Sequence, residues 1–273
     1  MEARVHEDAD TFRPLVMPLL AADPVRNTVL LTAADRAADD ALMITLHNGD
    51  DLAGLVVQVP AYPMVVTAMP LDAVDLVART VHELQPRLTG SSGVVAHVEA
   101  FNAAWTRLTD ATATMQFGTR LFRLGELVPP EVDGQARQAT ETDESLLVEW
   151  RRAFLAETFP DDGTDGPEQP AKRSVSPGGV NFIWEVDGKP VSFASPRGPF
   201  AGMVRIAPVY TPEDQRGHGY ASAATAAASQ WALDEGAEHV LLFTDVANPV
   251  TNRIYPRLGY EPLDDSAEYR FSY

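Results

Sequence analysis

The chain has 273 residues, 45% of them hydrophobic, enough for one large domain or two ordinary ones. Its 39 acidic and 21 basic residues give a formal charge of −18, which disfavours nucleic acid and anionic membranes as partners. The absence of cysteine excludes disulfide frameworks, thiolate metal sites and a cysteine nucleophile. The acidic N-terminus is unlike a signal peptide, and no apolar run approaches the ~20 residues that span a bilayer, so we expect a cytoplasmic protein.

The first half of the chain predicts alternating helices and strands, which is typical of a mixed α/β fold. The predicted elements are a proline-containing helix over 11–23, a hairpin around Asn48 and Gly49, a strand over 64–69, a helix over 70–88, a strand over 93–98, a helix over 99–109 and a strand over 114–124. From Gly125 to Glu144 the periodicity gives way to proline, glycine and charge. We therefore expect a domain over 1–125, a linker over 126–141 and a second domain over 142–273.

The second half repeats this order, which indicates a duplicated domain. Its predicted elements are a helix over 145–159, a polar loop over 160–179, a hairpin over 180–195, a strand over 202–210 and an alanine-rich helix over 220–236. The polar loop is either a cover for a substrate or a surface insertion.

The turn between that last strand and helix has the sequence Arg216-Gly217-His218-Gly219-Tyr220-Ala221. Glycines let a ligand approach the backbone, and the unpaired amides of a helix N-terminus favour an anion such as a pyrophosphate. The spacing matches neither G-x-x-x-x-G-K-[ST] nor G-x-G-x-x-G, which disfavours a nucleotide triphosphate or a dinucleotide.

This turn resembles the acyl-CoA signature of the GNAT superfamily of N-acyltransferases, R-x-x-G-x-G/A between a strand and a helix. Further along, "NPVTNRIYPRLGYEPL" is similar to the second family motif, with matching positions at Asn248, Thr251, Ile254, Tyr255, Gly259 and Tyr260. The resemblance covers about residues 140–273. It implies a tandem GNAT fold of the kind known from actinobacteria, with a catalytic second copy and a degenerate N-terminal copy that lacks the glycine turn.

The resemblance also implies acetyl-CoA as co-substrate. The strand would splay at a bulge near Pro208, so that Val209, Tyr210 and Thr211 pair with the pantetheine arm and the acyl carbonyl; ordinary strand core is the alternative. The pyrophosphate would bind the amides of Gly217, His218, Gly219, Tyr220, Ala221 and Ser222, with Arg216 as a countercharge. Asn248 is included in the cofactor site as the cap of a helix that begins at Pro249.

For catalysis, Tyr255 matches the tyrosine that protonates the departing CoA thiolate in many family members; a packing role is the alternative. Pro256 predicts that the helix kinks or ends at Tyr255. Phe243 stands where several relatives carry a glutamate, so Asp245 is the candidate base. Alternatively, Asp245 caps the following turn, and the base is a chain of water molecules or Glu157.

We therefore expect direct transfer of an acetyl group from acetyl-CoA to a primary amine of a small molecule, an amino acid or a peptide. No metal is implied, because the histidines lack H-x-x-x-H or H-E-x-x-H spacing. The alternatives are a non-catalytic acyl-CoA sensor or interaction module, and an acetyltransferase of protein lysines or N-termini. The sequence leaves the acceptor, the acyl length and the oligomeric state open, a homo-oligomer included.

Overall fold

The structure is a computed structural model that describes residues 1–158 and 179–273. The polar loop predicted over 160–179 lies, apart from its last residue, outside these described residues. The chain divides into two compact units. The first comprises Met1–Leu121, Thr244–Pro249 and Leu263–Tyr273, and the second comprises Phe122–Phe243 and Val250–Pro262.

Seven α-helices lie in the described residues: α1 Ala9–Ala21, α2 Thr28–Arg36, α3 Val74–Leu84, α4 Val95–Leu108, α5 Glu144–Thr158, α6 Tyr220–Asp234 and α7 Thr251–Arg257. The strands are β1 Glu2–His6, β2 Leu42–Asn48, β3 Asp51–Gln58, β4 Met64–Val65, β5 Gly90–Val94, β6 Thr112–Leu124, β7 Gln135–Gln138, β8 Phe182–Val186, β9 Lys189–Phe200, β10 Met203–Tyr210, β11 His239–Asp245 and β12 Tyr260–Ser272. No helix in the described parts of the chain is long and apolar enough to cross a membrane.

The first unit is built on a sheet with the strand order β1-β2-β3-β4-β5-β12. β4 and β5 are parallel and the other neighbours are antiparallel, with β12 pairing to β5 through Ser266–Arg270. The helices α3 and α4 contribute apolar residues at helical spacing to the core of this unit. Phe101 and Trp105, one turn apart on α4, are fully buried, and their rings stack with centroids 5.9 Å apart.

The second unit has the strand order β7-β8-β9-β10-β11, antiparallel except for the parallel pair β10 and β11. α6 covers one face, where the fully buried alanines at 224, 228 and 232 let the helix approach the strands closely. α5 covers the other face, where Leu147 and Trp150 pack against Phe193. Adjacent residues of a strand point to opposite faces, so the neighbouring residues Phe193 and Ala194 belong to the two different clusters.

Both halves of the chain follow the predicted order of helical segment, hairpin, strand, helix, strand, helix and strand. Each half also begins with a strand, β1 or β7, that the sequence patterns did not indicate. β7 lies in the segment where periodicity fails, and none of its side chains is buried. Backbone pairing with β8 and an ion pair between Arg137 and Glu185 at 2.7 Å hold it in place.

The strand predicted over 93–98 is wrong in its second part, because β5 ends at Val94 and α4 begins at the next residue. Val98, Phe101 and Trp105 share one face of that helix and are fully buried, which favours helix over strand. β5 itself has the sequence GSSGV. Backbone contact replaces apolar side chains there, since a Cβ at Gly90 would overlap the carbonyl oxygen of Tyr269.

Candidate active site

β10 is irregular where the acyl-CoA thioester is expected. Between the pairs Ile206–Pro196 and Val209–Ala194, two residues of β10 face a single residue of β9. This is a β-bulge, which interrupts the ladder and bends the strand. The irregularity predicted near Pro208 is therefore confirmed.

β10 also parts from β11 before it reaches the bulge. Their parallel pairing covers Met203–Arg205, and the described register goes no further. Beyond Arg205, the edge of β10 that faced β11 is therefore no longer used in the ladder. This is the splayed geometry that the family resemblance implied for the pantetheine arm.

The glycine turn adopts a conformation that only glycine reaches easily. Gly217 and Gly219 both have φ of +84°, in the left-handed region, which costs about 1–2 kcal/mol for a residue with a side chain. A Cβ at Gly217 would meet nothing within 4 Å, so the backbone is open on that side. Gly219 is the N-cap of α6, and no side chain in the described part of the chain caps this helix.

The first turn of α6 therefore presents backbone amides without acceptors. The first bond of the helix runs from the amide of Ala223 to the carbonyl of Gly219 at 3.1 Å. No described residue accepts from the amides of Tyr220, Ala221 or Ser222. Their partial positive charge, added to the helix dipole, makes this end of α6 suited to an anion.

His218 points an exposed ring along the same turn. Its imidazole stacks on the ring of Tyr220 with centroids 5.3 Å apart. This stacking accounts for the position of the side chain, and it is compatible with the predicted contribution of His218 through its amide.

Arg216 joins the turn to α5 and to the end of β10. Its Nη2 contacts both carboxylate oxygens of Glu157, at 2.8 and 2.7 Å, and its Nε donates to the carbonyl of Thr211 at 3.0 Å. The hydroxyl of Tyr210 lies 3.4 Å from the same carboxylate. Partial burial and the carboxylate of Glu157 together raise the pKa of Tyr210.

The end of β10 is also anchored from β9. The hydroxyl of Ser192 donates to the carbonyl of Tyr210 at 3.0 Å and lies 2.9 Å from the hydroxyl of Thr211. The side chain of Val209 packs against the apolar cluster under α6. Val209 is only partly buried there, and its contact with a cofactor stays a prediction.

Tyr255 is buried on α7, with 6% of its surface exposed. Its ring contacts those of Phe122 and Tyr260, with centroids 6.2 and 6.0 Å away. Burial raises the pKa of Tyr255 to about 12, and the nearby side chain of Thr225 acts weakly in the opposite direction. The hydroxyl of Thr225 has no hydrogen-bond partner of ordinary geometry. Because the pKa of Tyr255 is far above 7, the phenol keeps its proton at neutral pH.

One prediction about the last helix is wrong, and a second fails in one of its two alternatives. α7 begins at Thr251 with Val250 as its N-cap, because the amide of Asn248 closes a turn on the carbonyl of Asp245 at 3.1 Å. The helix also does not end at Tyr255 but continues through Pro256 to residue 257, and the alternative of a kink at Tyr255 stays a prediction. The proline removes a single N–H near the C-terminus of a two-turn helix. The amide of residue 258 still donates hydrogen bonds to the carbonyls of residues 254 and 255.

Asp245 and Asn248 lie in the segment Thr244–Pro249, which clusters with the first unit. The carboxylate of Asp245 accepts a hydrogen bond from the amide of Ala247 at 2.7 Å. The turn-capping reading of Asp245 is therefore present in the structure. The roles of Asp245 as base and of Asn248 in the cofactor site stay predictions.

The glycine of the second motif is required by close backbone approach. Gly259 has φ of +92°, and a Cβ there would overlap the carbonyl oxygen of Glu126. The amide of Gly125 donates to the carbonyl of Gly259 at 2.9 Å. The segment that follows β6 thus runs directly over the end of α7.

In the first unit, the segment between β4 and α3 takes the place of the glycine turn, and its backbone is bonded to β3. The strand predicted over 64–69 is limited to β4, and the chain beyond it returns to β3, where the amide of Leu55 donates to the carbonyl of Ala68 at 2.8 Å. A Cβ at Gly54 would lie only 2.6 Å from that carbonyl oxygen. Pro70, which has no N–H, caps the 3-10 turn that leads into α3. The N-terminal copy thus lacks the amide cluster.

Several polar groups near the glycine turn and Tyr255 could not be predicted from the sequence. Ser192 and Thr225 lie in apolar or alanine-rich runs, and nothing in their spacing distinguished them. Glu157 stood only as a remote alternative base, and its pairing with Arg216 joins residues 59 positions apart. No local pattern could have indicated that contact.

A splayed strand pair followed by a glycine turn and an uncapped helix is the arrangement that the GNAT resemblance predicts for the second unit. Residues 144–260 match the model of the Acetyltransferase (GNAT) family. The chain as a whole has the tandem GNAT fold. The match to this family supports acyl transfer from acetyl-CoA as the general activity.

Solved structures with the same fold cover nearly the whole chain. An acetyltransferase of the GNAT family from Colwellia psychrerythraea has a TM-score of 0.64 at 12% identity, covering 100% of both chains. A tandem GNAT protein from the clavulanic acid biosynthesis pathway has a TM-score of 0.61 at 12% identity, covering 99% of this chain and 98% of its own.

A GCN5-related N-acetyltransferase from Kribbella flavida has a higher sequence identity to this chain than these two structures. It is 20% identical, with a TM-score of 0.54 over 80% of this chain and 87% of its own. At these identities the likeness shows the fold alone. No curated protein matches the chain significantly.

Proposed function

We propose that this protein transfers an acetyl group directly from acetyl-CoA to a primary amine of a small molecule, an amino acid or a peptide. The observation that carries the proposal is the cluster of acceptor-free amides at the start of α6, beside the strand that bulges and leaves its neighbour. The domain division at 126–141 and the assignment of catalysis to the second copy are part of the same proposal.

The amides of residues 217–222 would bind the pyrophosphate of CoA. Gly217 and Gly219 are needed there because a Cβ would either strain the left-handed backbone or occupy the space that the phosphates need. The pantetheine arm would extend along the free edge of β10, so that the thioester reaches the bulge. Backbone amides near Val209 would polarise the thioester carbonyl.

In the proposed reaction the neutral amine attacks the thioester carbon. A C–N bond forms, the C–S bond breaks with its electron pair leaving on sulfur, and the amine passes one proton to solvent, either directly or through the candidate base Asp245. Tyr255 would donate a hydrogen bond, and finally a proton, to the thiolate. Solvent returns one proton to Tyr255 after the phenol has protonated the sulfur. Because the pKa of Tyr255 is about 12, the phenol is always available as a donor but is a weak acid.

A non-catalytic acyl-CoA-binding module is the second candidate. The burial of Tyr255 favours it, since a fully packed phenol is also what the core alone would require. Both candidates bind CoA. Release of free thiol from acetyl-CoA in the presence of a mixture of amines separates them, because only the enzyme produces it.

The experiment that tests the cofactor site is calorimetric titration with acetyl-CoA and CoA. Gly217→Ala adds a methyl group in the open space of the turn, and we expect binding to weaken by about tenfold or more. Gly236→Ala is the matched control, because Gly236 has φ of +82° and equally open surroundings at the other end of α6. Absence of binding to the unmodified protein, or equal effects of the two substitutions, would contradict the proposal.

A further inference from the structure

Arg151 of α5 is a buried cation without a carboxylate partner among the described residues. Its side chain is 1% exposed, and its Nε and Nη1 have no hydrogen-bond acceptor. Nη2 donates to the amide oxygen of Asn181 at 2.6 Å and lies 3.3 Å from the hydroxyl of Ser195. The hydroxyl of Ser195 in turn donates to the same oxygen of Asn181.

This cluster lies beside the bulge of β10. Ser195 is the residue of β9 that faces the two bulged residues, between the pairs formed by its neighbours at 194 and 196. The guanidinium of Arg151 sits 5.9 Å from the ring of Phe193, two residues earlier on the same face of β9. Phe193 is paired with Tyr210, at the end of β10. The cation is thus adjacent to the strand segment where the acyl group is proposed to lie.

Such an arrangement is unfavourable for the protein alone. Burial lowers the pKa of Arg151 to about 10, and the positive charge of Arg197 acts in the same direction. An amide oxygen, a hydroxyl and a ring face satisfy a guanidinium only in part, and two nitrogens remain without acceptors. Buried cations are normally paired with carboxylates, and an apolar residue of similar size would fill this space with less penalty.

The other arginines of this unit with defined partners show the contrast. Arg137 pairs with Asp143 and Glu185, and Arg216 pairs with Glu157. The residue that most needs a counter-ion is therefore the one for which the described chain supplies none. A ligand that brings a carboxylate would satisfy it.

We propose that Arg151, held by Asn181 and Ser195, binds a carboxylate of the substrate, carried either by the acyl group or by the amine acceptor. The inference rests on the acyltransferase function proposed above and narrows its substrate class. A guanidinium in a dry site binds a carboxylate through short charge-assisted hydrogen bonds. A substrate without that charge would leave the cation unpaired.

The test measures binding to the full chain with pairs of probes that differ by one carboxylate. Succinyl-CoA against acetyl-CoA reports on the acyl group, by calorimetry. A panel of α-amino acids, each against its own amide in the presence of CoA, reports on the acceptor, by thermal shift and calorimetry. We expect the carboxylate to improve affinity by about tenfold or more in one of the two arms.

Arg151→Met should abolish that preference while leaving the affinity for acetyl-CoA within about twofold. Its melting temperature should be unchanged or higher, because the substitution removes an unpaired buried charge. Arg152→Met is the control, since it removes the same charge from the adjacent exposed position. Arg151→Lys keeps a positive charge but lacks the planar donors of a guanidinium. If the methionine variant does not fold, the preference for the carboxylate is measured in the lysine variant instead.

The outcomes separate the two proposals. If acetyl-CoA binds but neither arm shows a preference for the carboxylate, or if Arg151→Met keeps the preference, the carboxylate site is overturned and the acyltransferase stands. If Arg151→Met is strongly destabilised with preferences intact, the arginine is structural. If no CoA ester binds, the proposed function fails and the carboxylate site fails with it.

Discussion

The guanidinium of Arg216 is bound by the carboxylate of Glu157, with both oxygens within 2.8 Å of one nitrogen. The residue expected to offset the pyrophosphate charge is thus already neutralised by an acidic residue at the end of α5. Both side chains are about half exposed, at 45% and 50%, so the pair is weak and a dianionic ligand can compete for the arginine.

Glu157→Gln should therefore tighten the binding of CoA. Removing the competing carboxylate frees Arg216, and we expect a gain of about two- to fivefold at low salt that shrinks at high ionic strength. Calorimetry at two salt concentrations measures it. Glu149→Gln, an equal charge change at an exposed position of the same helix, is the control. Weaker binding in Glu157→Gln would instead mean that the ion pair holds Arg216 in its binding position.

Tyr255→Phe should lower kcat while leaving the affinity for CoA within about twofold. The expected loss is ~100-fold, at the lower end for a general acid, because the pKa of about 12 is far above the working pH. For the same reason the kcat profile should show no ionisation of this phenol between pH 6 and 10. Steady-state assays of free thiol release across this pH range measure both the loss in kcat and its pH dependence.

Tyr260→Phe is the matched control for that substitution. Tyr260 is as buried as Tyr255, and its hydroxyl lies 2.7 Å from that of Ser229. Loss of this hydrogen bond should cost about 1 kcal/mol of stability and leave kcat unchanged. Equal kcat values for Tyr255→Phe and the native protein would assign Tyr255 to packing alone.

Asp143→Asn should destabilise the second unit by about 2 kcal/mol at pH 7. Asp143 accepts two hydrogen bonds from Arg137, at 2.7 and 2.8 Å, and one from the amide of Thr140. These bonds, those from Arg137 most of all, hold the pKa of Asp143 well below its usual range. The stabilisation is therefore complete above the unfolded pKa of about 3.9 and is lost as the pH falls towards the folded pKa.

Urea unfolding at pH 7 and at pH 3 measures this dependence. The difference in the free energy of unfolding between the native protein and Asp143→Asn should be smaller at pH 3 than at pH 7. Asp110→Asn, at an exposed position of the first unit, should show no such difference. A gap that is independent of pH would mean that the asparagine disturbs packing and that the charge is not involved.

Gly259→Ala should destabilise the protein by more than ~3 kcal/mol, because the new Cβ would overlap the backbone of Glu126. Gly188→Ala is the comparison. Gly188 also has positive φ, +73°, but nothing lies within 4 Å of the added atom, so only the conformational cost of about 1 kcal/mol remains. Thermal unfolding of the two variants checks the difference. Similar losses would show that the segment after β6 moves aside easily.

Several features of the protein could be read from local patterns. The glycine turn, the alanine-rich helix and the tyrosine motif are each short stretches, and their order along the chain is sufficient to indicate a GNAT domain in the second half. The repeated order of elements in the two halves follows from hydrophobic periodicity in the same way. These inferences hold because each depends on residues that are neighbours in sequence.

The amino-acid sequence by itself thus determined the fold family, the position of the glycine turn and the lack of such a turn in the N-terminal copy. The tertiary structure alone decided that β5 forms from GSSGV, that Arg216 pairs with Glu157 and that Arg151 is buried with no counter-ion among the described residues. Each of these depends on contacts between distant segments. Burial and pairing are set by what packs against a residue, and a sequence pattern does not carry the identity of that partner.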